Sequence, residues 1–337
     1  MPRLAPPRLA LVTAIASLSR DHDMSLLQQA CARAGITAEV RAWDDGSVSW
    51  ARYDAALLRS CWDYTTRLPE FLAWCDRVAA RTRLWNPPEI VRWNTDKRYL
   101  ADLAADGIAV VPTAYADPDD DPLAAIEALL AAHPDAAECV VKPTVAAGAA
   151  GARRYARSQS LAAADHLGRL LGAGRSAMLQ PYLPAIDRDG ETALLYFGGR
   201  YSHAIRKAAL LRPDSDSPDA ATRDKAISAR TPGEDERRFG DGVLDALARR
   251  FGSAPLYARV DLLRDADGRP RLLELELTEP TLFLPFAEGA ADRLAVALRG
   301  ALAEPGASPS DSPGGATGAG SGPIGASEPS RDSKKRR

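Results

Sequence analysis

Apolar and polar positions alternate along this chain at two periods, one near two residues and one near 3.6, and the two take turns. Arg8–Ile15 is a short apolar run preceded by Pro6 and Pro7, which predicts a buried strand. Met24–Ala34 has helical spacing and stops at Gly35, a residue suited to ending a helix. Thr37–Trp43 alternates as a strand, Tyr53–Arg59 reads as a second buried strand, and Pro69–Ala80 is again helical. This order predicts a small parallel α/β layer. No G-x-G-x-x-G follows the first strand, which argues against a dinucleotide site there.

The pattern continues with a helix over Asp96–Ala105, capped by Thr95 or Asp96 and ended near Gly107. Val110–Tyr115 is strand-like and Pro122–Ala132 helical. Cys139–Lys142 is a strand opening into a loop of small residues. A helix over Leu161–Leu171 precedes a short strand, Ala177–Gln180, stopped by Pro181. Glu191–Phe197 and Arg200–Ile205 predict a hairpin around Gly198-Gly199. Pro213–Gly233 is polar and reads as a flexible insert or a lid. Arg237–Phe251 is helical, and Leu256–Arg264 with Arg271–Thr278 predicts a last hairpin around Asp265-Ala266-Asp267-Gly268. Asp292–Leu302 closes the fold. From about Glu304 the chain has almost no large apolar residue, so a disordered tail over 304–337 is expected. There is no internal repeat.

Composition narrows the function classes. The 337 residues are 46% hydrophobic and 26% charged, with a net charge of -2. That balance offers no basic field for nucleic acid, and no apolar run is long enough to cross a bilayer. The arginines before LALVTAI imitate a signal peptide, but the run fits a first strand better. Cys31, Cys61, Cys75 and Cys139 form no C-x-x-C pair, so they are read as reduced thiols of a cytoplasmic protein with no zinc site. A homo-oligomer is left open.

Candidate chemistry concentrates in the last hairpin, YARVDLL…RLLELELTEPT. Residues two apart in a strand share a face, so Arg259 projects with Asp261, and Glu274 with Glu276 and Thr278. A turn on Asp267-Gly268 sets Asp261 opposite Glu274 and Arg259 opposite Glu276. Three carboxylates then converge beside an arginine. Hard oxygen donors of this kind suit Mg²⁺, while a plain wet strand face gives the same alternation with leucine. In VVKPTVAAGAAGARRY, Lys142 ends a strand before a loop with Gly148 and Gly151, where backbone N–H groups can approach phosphate. Strand-then-proline at Gln180-Pro181 suits a hinge beside a base, or a plain strand end. Lys97 is read at a helix start, where the dipole favours an anion, or as a surface lysine.

The order of these parts resembles the ATP-grasp superfamily, over roughly Thr95 to Leu302. ELELTEPT resembles the E-x-N-x-T-x-P-T ending of the glutathione synthetase branch, and YARVDLL the R-x-D strand of the D-alanine–D-alanine ligase branch. RSCWDY, WNPPEIVRWNTDKRYL, VVKPTVAAGA, GETALLYF and YSHAIRKAALL, with the hairpin, resemble the cycloserine-forming O-ureido-serine cyclo-ligase group. The resemblance implies a three-lobed ATP-grasp fold, α/β overall and α+β in the ATP-grasp lobes. Its lobes would be a parallel α/β pre-ATP-grasp domain over 1–94, a central subdomain over 95–180 with the phosphate loop, and a C-terminal subdomain over 181–303 with the metal site. It implies an ATP-dependent carbon–nitrogen ligase releasing ADP and phosphate, with Mg²⁺, or Mn²⁺ in its place, and a small-molecule carboxylate as substrate.

By the same resemblance, Lys97 and Lys142 would hold ATP phosphates under a loop spanning Thr144–Gly151. Gln180, Tyr182 and Leu183 would border adenine, and Asp261, Glu274 and Glu276 would bind the metal. Arg259 would stabilise developing charge, and Arg206 or Lys207 would meet the transferred phosphoryl group. Two departures stand out. Glu276 occupies a position where relatives carry asparagine, and VAAGAAGA lacks a loop hydroxyl. His203 is a candidate proton acceptor or a structural histidine. Ser60, Trp62, Asp63 and Tyr64 follow a parallel strand, where ligands usually bind, or pack the lobe interface. A carboxylate–amine ligase for an amino acid or peptide, and a nucleotide-binding scaffold without catalysis, are the alternatives.

Overall fold

Three sheets carry the described residues, 5–211 and 226–304, in a computed structural model of the chain. These residues fall within one compact unit, Met1–Pro305. The expected tail beyond Glu304 and most of the expected lid lie outside them.

In chain order the elements are β1 (Arg8–Thr13), α1 (Met24–Arg33), β2 (Thr37–Ala42), β3 (Ala55–Ser60), α2 (Leu68–Ala79), β4 (Arg83–Trp85), α3 (Pro88–Asn94) and α4 (Tyr99–Ala105). There follow β5 (Ala114–Ala116), α5 (Pro122–Ala132), β6 (Glu138–Pro143), β7 (Arg153–Ala156), α6 (Ser160–Gly172), β8 (Ala177–Pro181) and α7 (Ala185–Asp189). The last set is β9 (Glu191–Phe197), β10 (Arg200–Lys207), β11 (Ile227–Arg230), α8 (Glu234–Phe251), β12 (Tyr257–Arg264), β13 (Pro270–Glu276) and α9 (Ala290–Ala303).

The first sheet is parallel, in the order β2-β1-β3-β4. It is apolar on both sides, as a parallel sheet covered by helices must be. Leu9 and Leu11 pack with Leu27 of α1 and Leu294 of α9. Val12 and Leu58 face Phe71 and Trp74 of α2. The second sheet is antiparallel, β5-β8-β6-β7, backed by α5 and α6. The third, β11-β10-β9-β12-β13, is antiparallel throughout. One of its faces is dry: Leu194, Tyr196 and Val260 pack on Val243 and Leu247 of α8. The other carries Leu195, Phe197 and Ile205 against Leu294 and Leu298 of α9, and farther along it carries the charged residues of the last hairpin.

Three expectations need correction. The helix expected over Asp96–Ala105 is α4, which starts later, at Tyr99, and is preceded by a separate helix, α3. Pro88 starts α3, and Asp96 caps no helix but folds its Oδ1 back onto the Arg98 N–H at 3.0 Å. Lys97 therefore sits in the bend between α3 and α4, not at a helix start. Val110–Tyr115 yields only β5, because Ala109 and Val111 bond instead to Leu272 along the edge of β13. Within the expected lid, Ile227–Arg230 is a strand paired with β10.

Candidate active site

The register of the last hairpin sets Arg259 opposite Glu276 and Asp261 opposite Glu274. A bulge between Asp261 and Leu262 follows, so the alignment holds where the charges are. Asp261, Glu274 and Glu276 each offer an oxygen within 4.8 Å of the others. A wet strand face does not describe Asp261, which is fully buried, while Glu274 and Glu276 are half-buried at the cleft. The edge of β13 is closed by side chains. Asn94 donates to the Leu275 carbonyl at 2.8 Å and accepts from the Leu277 N–H at 2.7 Å, while the Tyr99 hydroxyl accepts from the Leu275 N–H at 2.9 Å. These bonds act like one more strand and fix the direction in which Glu274 and Glu276 point.

Four cations answer the carboxylates. Arg259 donates to Asp261 Oδ2 at 2.9 Å and also bonds Glu276. Lys207 lies 2.7 Å from Asp261 Oδ2 and 2.9 Å from Glu191 Oε2. Lys97 lies 3.1 Å from Glu274 Oε1 and donates to the Ala146 carbonyl at 2.6 Å. It thus joins the clustered carboxylates to the glycine loop. Lys142 is the fourth; Glu274 favours its charge, but burial dominates and draws its pKa below the ordinary lysine value.

The proton balance follows from these pairings. Burial alone would raise the Asp261 carboxyl, yet Arg259 and Lys207 outweigh it and bring the group to about 2. Burial also works on Glu274, where Lys97 and Lys142 prevail and the pKa falls. At Glu276 burial prevails over Arg259, and the repulsion of Glu274 and Asp261 adds to it, giving about 7. A charged Glu276 in this chain therefore calls for more positive charge than the protein supplies, as a divalent cation would bring.

The other expected residues divide. Thr144 is buried beside Lys97, its carbonyl accepting the Lys97 N–H at 3.0 Å. In the loop that follows, Gly148 and Gly151 have φ of 60° and 72°. A Cβ at Gly151 would also stand 3.3 Å from the Pro143 ring, so this turn requires glycine twice over. Gln180 is buried with its amide on Thr113 Oγ1 at 2.8 Å. Tyr182 bonds Asp187 at 2.6 Å under the Arg154 guanidinium, and Leu183 is half-buried next to it.

Two candidates are not part of the cluster. Arg206 alternates away from Lys207 and binds the carbonyls of Asp189 and Arg188 at 2.6 and 3.1 Å, bracing the turn into β9. It does not reach the carboxylates. His203 is buried, held between the Leu282 carbonyl at 3.0 Å and Ser202 Oγ at 2.9 Å. Burial brings its pKa to about 4, which suits a neutral structural ring and not a proton acceptor at neutral pH.

The loop after β3 also divides. Ser60 is buried against Thr13 Oγ1, and Asp63 holds Trp43 Nε1 at 2.9 Å. Trp62 and Tyr64, by contrast, reach the last hairpin, and Trp62 Nε1 donates to the Glu279 carbonyl at 3.1 Å. Glu279 lines the same cleft as Glu274, Glu276, Lys97 and Tyr64. Sequence reasoning missed it because β13 ends at Glu276 and the two-residue alternation stops there. Glu191, Asn94 and Tyr99 were missed because their roles depend on neighbours distant in sequence.

This combination of fold and site defines an ATP-grasp ligase. The fold is shared with the ATP-grasp ligase PsnB solved with minimal precursor, Mg and ADP, at a TM-score of 0.56 and 18% identity, covering 87% of this chain and 98% of that one. The crystal structure of D-cycloserine synthetase DcsG matches with a TM-score of 0.83 and 47% identity, over 88% of this chain and 99% of that one. Cycloserine biosynthesis protein DcsG of Streptomyces lavendulae is 49% identical over 292 residues, which is 86% of this chain and 97% of that protein. Residues 9–86 match the family model described as D-cycloserine synthetase DcsG, N-terminal domain. The chain belongs to the DcsG family.

Proposed function

We propose that this ligase activates the carboxylate of an O-substituted, serine-like amino acid as an acyl phosphate and closes a ring through a nitrogen of the same molecule. One observation carries the reading: three carboxylates whose oxygens lie within 4.8 Å of one another meet lysines and an arginine from two sheets and the bend between α3 and α4. The likeness to a protein named for cycloserine biosynthesis supports the intramolecular form.

In this reading residues 1–94 are the substrate layer, 95–180 carry the phosphate loop and 181–303 the metal site. Lys97 and Lys142 bind ATP phosphates beneath the Thr144–Gly151 loop, and Gln180, Tyr182 and Leu183 border the base. Asp261, Glu274 and Glu276 hold Mg²⁺ or Mn²⁺, and their hard, closely set oxygens fit such an ion. The ion's contribution is to offset negative charge on the transferring phosphoryl group. A substrate carboxylate oxygen bonds to the γ-phosphorus as ADP departs. Nitrogen then attacks the acyl carbon, phosphate leaves, and the nitrogen loses a proton. The protein's work is positioning and charge stabilisation: Lys207 orients the phosphoryl group and Arg259 faces the charge that develops on the acyl oxygen.

The test is ADP release across amino acids and O-substituted serines with Mg²⁺, followed by the mass of the product. Cyclisation consumes ATP without a second organic substrate. A requirement for a second amine would favour a general carboxylate–amine ligase, and ATP binding without ADP release across the whole panel would favour a scaffold.

A further inference from the structure

With one exception, each acidic side chain described above in the cleft faces a cation of the protein. Asp261 has Arg259 and Lys207, Glu191 has Lys207, Glu274 has Lys97, and Glu276 has Arg259. Glu279 is 6% exposed, lines the same cleft, and has no ion pair within 4 Å among the described residues. It also stands apart from the three carboxylates whose oxygens converge, so the metal reading does not absorb it.

Its placement is built from the N-terminal layer. A short helical turn after β3, Trp62–Thr66, supplies two contacts. Trp62 Nε1 fixes the Glu279 carbonyl at 3.1 Å, and the buried Tyr64 phenol lines the cleft together with the Glu279 carboxyl group. A phenol orients a carboxylate but does not neutralise it. Burying an unpaired charge is costly, and the protein meets that cost at four neighbouring carboxylates with its own lysines and arginines. At Glu279 no lysine or arginine among the described residues comes within 4 Å, and Lys97 acts on it only from farther off, across the cleft.

We propose that Glu279 is the specificity-determining residue that receives the ammonium group of the substrate, with Tyr64 as its positioning residue. The proposal deepens the functional reading above and rests on its placing acyl transfer in this cleft. An ammonium held at Glu279 and a carboxylate facing Arg259 and Lys207, beside the Asp261–Glu274–Glu276 group, fix an amino acid at two points. A simple carboxylic acid would be fixed at one, and would leave Glu279 buried without a partner. The site therefore selects amino acids over their ammonium-free counterparts.

The experiment compares ADP release from O-ureido-serine and from the acid of the same length lacking the amino group, with ATP and Mg²⁺ in excess. The wild-type enzyme is expected to prefer the amino acid by on the order of a hundredfold in kcat/KM. Glu279→Gln keeps the shape and should reduce that preference to a few fold, chiefly through the KM of the amino acid. Its KM for ATP, its Mg²⁺ midpoint and its melting temperature should stay at wild-type values. Tyr64→Phe should move the preference in the same direction by less. Equal use of both acids by the wild type, an undiminished preference in Glu279→Gln, or a shifted Mg²⁺ midpoint in that variant would each overturn the proposal. If O-ureido-serine releases no ADP and another amino acid does, the proposed substrate falls. The same comparison made with that amino acid and its amino-free counterpart still decides the role of Glu279.

Discussion

Lys207 reaches across β9 to Asp261, placing its ammonium 2.7 Å from a carboxylate two strands away. Asp261 and Glu191 outweigh the cost of burial and raise the Lys207 pKa, so the lysine is charged at any physiological pH. Lys207→Met is expected to lower kcat by about a hundredfold or more. Arg206→Ala, one residue earlier, removes only the brace on the β9 turn. It should cost about 1–3 kcal/mol of stability with kcat near wild type. Equal loss of kcat in both variants would show that the strand, and not the lysine, is what matters.

Glu274→Gln removes the negative charge from one of three converging groups and the ionic partner of Lys97. Turnover is expected to drop to a small residue while the circular dichroism spectrum is unchanged, and more Mg²⁺ should be needed to reach half-maximal rate. Wild-type turnover with wild-type Mg²⁺ dependence would remove Glu274 from the proposed metal site.

Arg259 lies between Asp261 and Glu276, so it both neutralises the hairpin and faces the proposed reacting group. Arg259→Ala should cost on the order of 1–3 kcal/mol in stability, because buried Asp261 keeps only Lys207 and half-buried Glu276 loses its cation. Arg259→Lys separates the two roles. It keeps the charge and most of the stability but loses the planar fork, and its single-turnover rate should still fall by tenfold or more. A full-speed chemical step in the lysine variant would leave Arg259 a purely structural role.

His166 and His203 are both buried, and burial is the largest cause of their depressed pKa values, each about 4. Arg153 and Arg169 depress His166 further, against Asp165, and Arg293 depresses His203. A folded-state pKa below the ordinary 6.5 means that the unfolded chain takes the proton first. The stability conferred by the neutral rings is complete above about pH 6.5 and is lost as the pH falls toward 4, by roughly 2–3 kcal/mol for each ring. Urea midpoints measured across that range should fall with pH, and less steeply in His166→Phe. The same slope in that variant would remove His166 from the account.

What could be read in the sequence was local. The pairing of Asp261 with Glu274 followed from a short turn and a two-residue period, both fixed within twenty residues of chain. Gly148 and Gly151 marked their own loop in the same way. Glu279 escaped because it lies past the end of β13, and its partner Tyr64 comes from the other end of the chain. Arg206 and Lys207 are neighbours in sequence, but only the register of β10 tells which faces the carboxylates. Of the two readings of His203, burial favours the structural one, and a single strand pattern does not report burial.

Asp23, at the entry to α1, accepts the backbone N–H groups of Leu282 and Leu284 at 2.6 and 2.8 Å, while Arg59 on β3 donates to the Pro280 carbonyl at 3.1 Å. The same short segment offers its Thr281 carbonyl to Arg259 at 3.3 Å. The N-terminal layer is therefore not an exchangeable cap. Grafting the first layer of another ligase onto this body, as one would to change its substrate, also replaces the residues that hold Thr281 in place. A working chimera has to carry Asp23 and Arg59 across the junction with the body they serve, or its arginine loses its footing before any new substrate arrives.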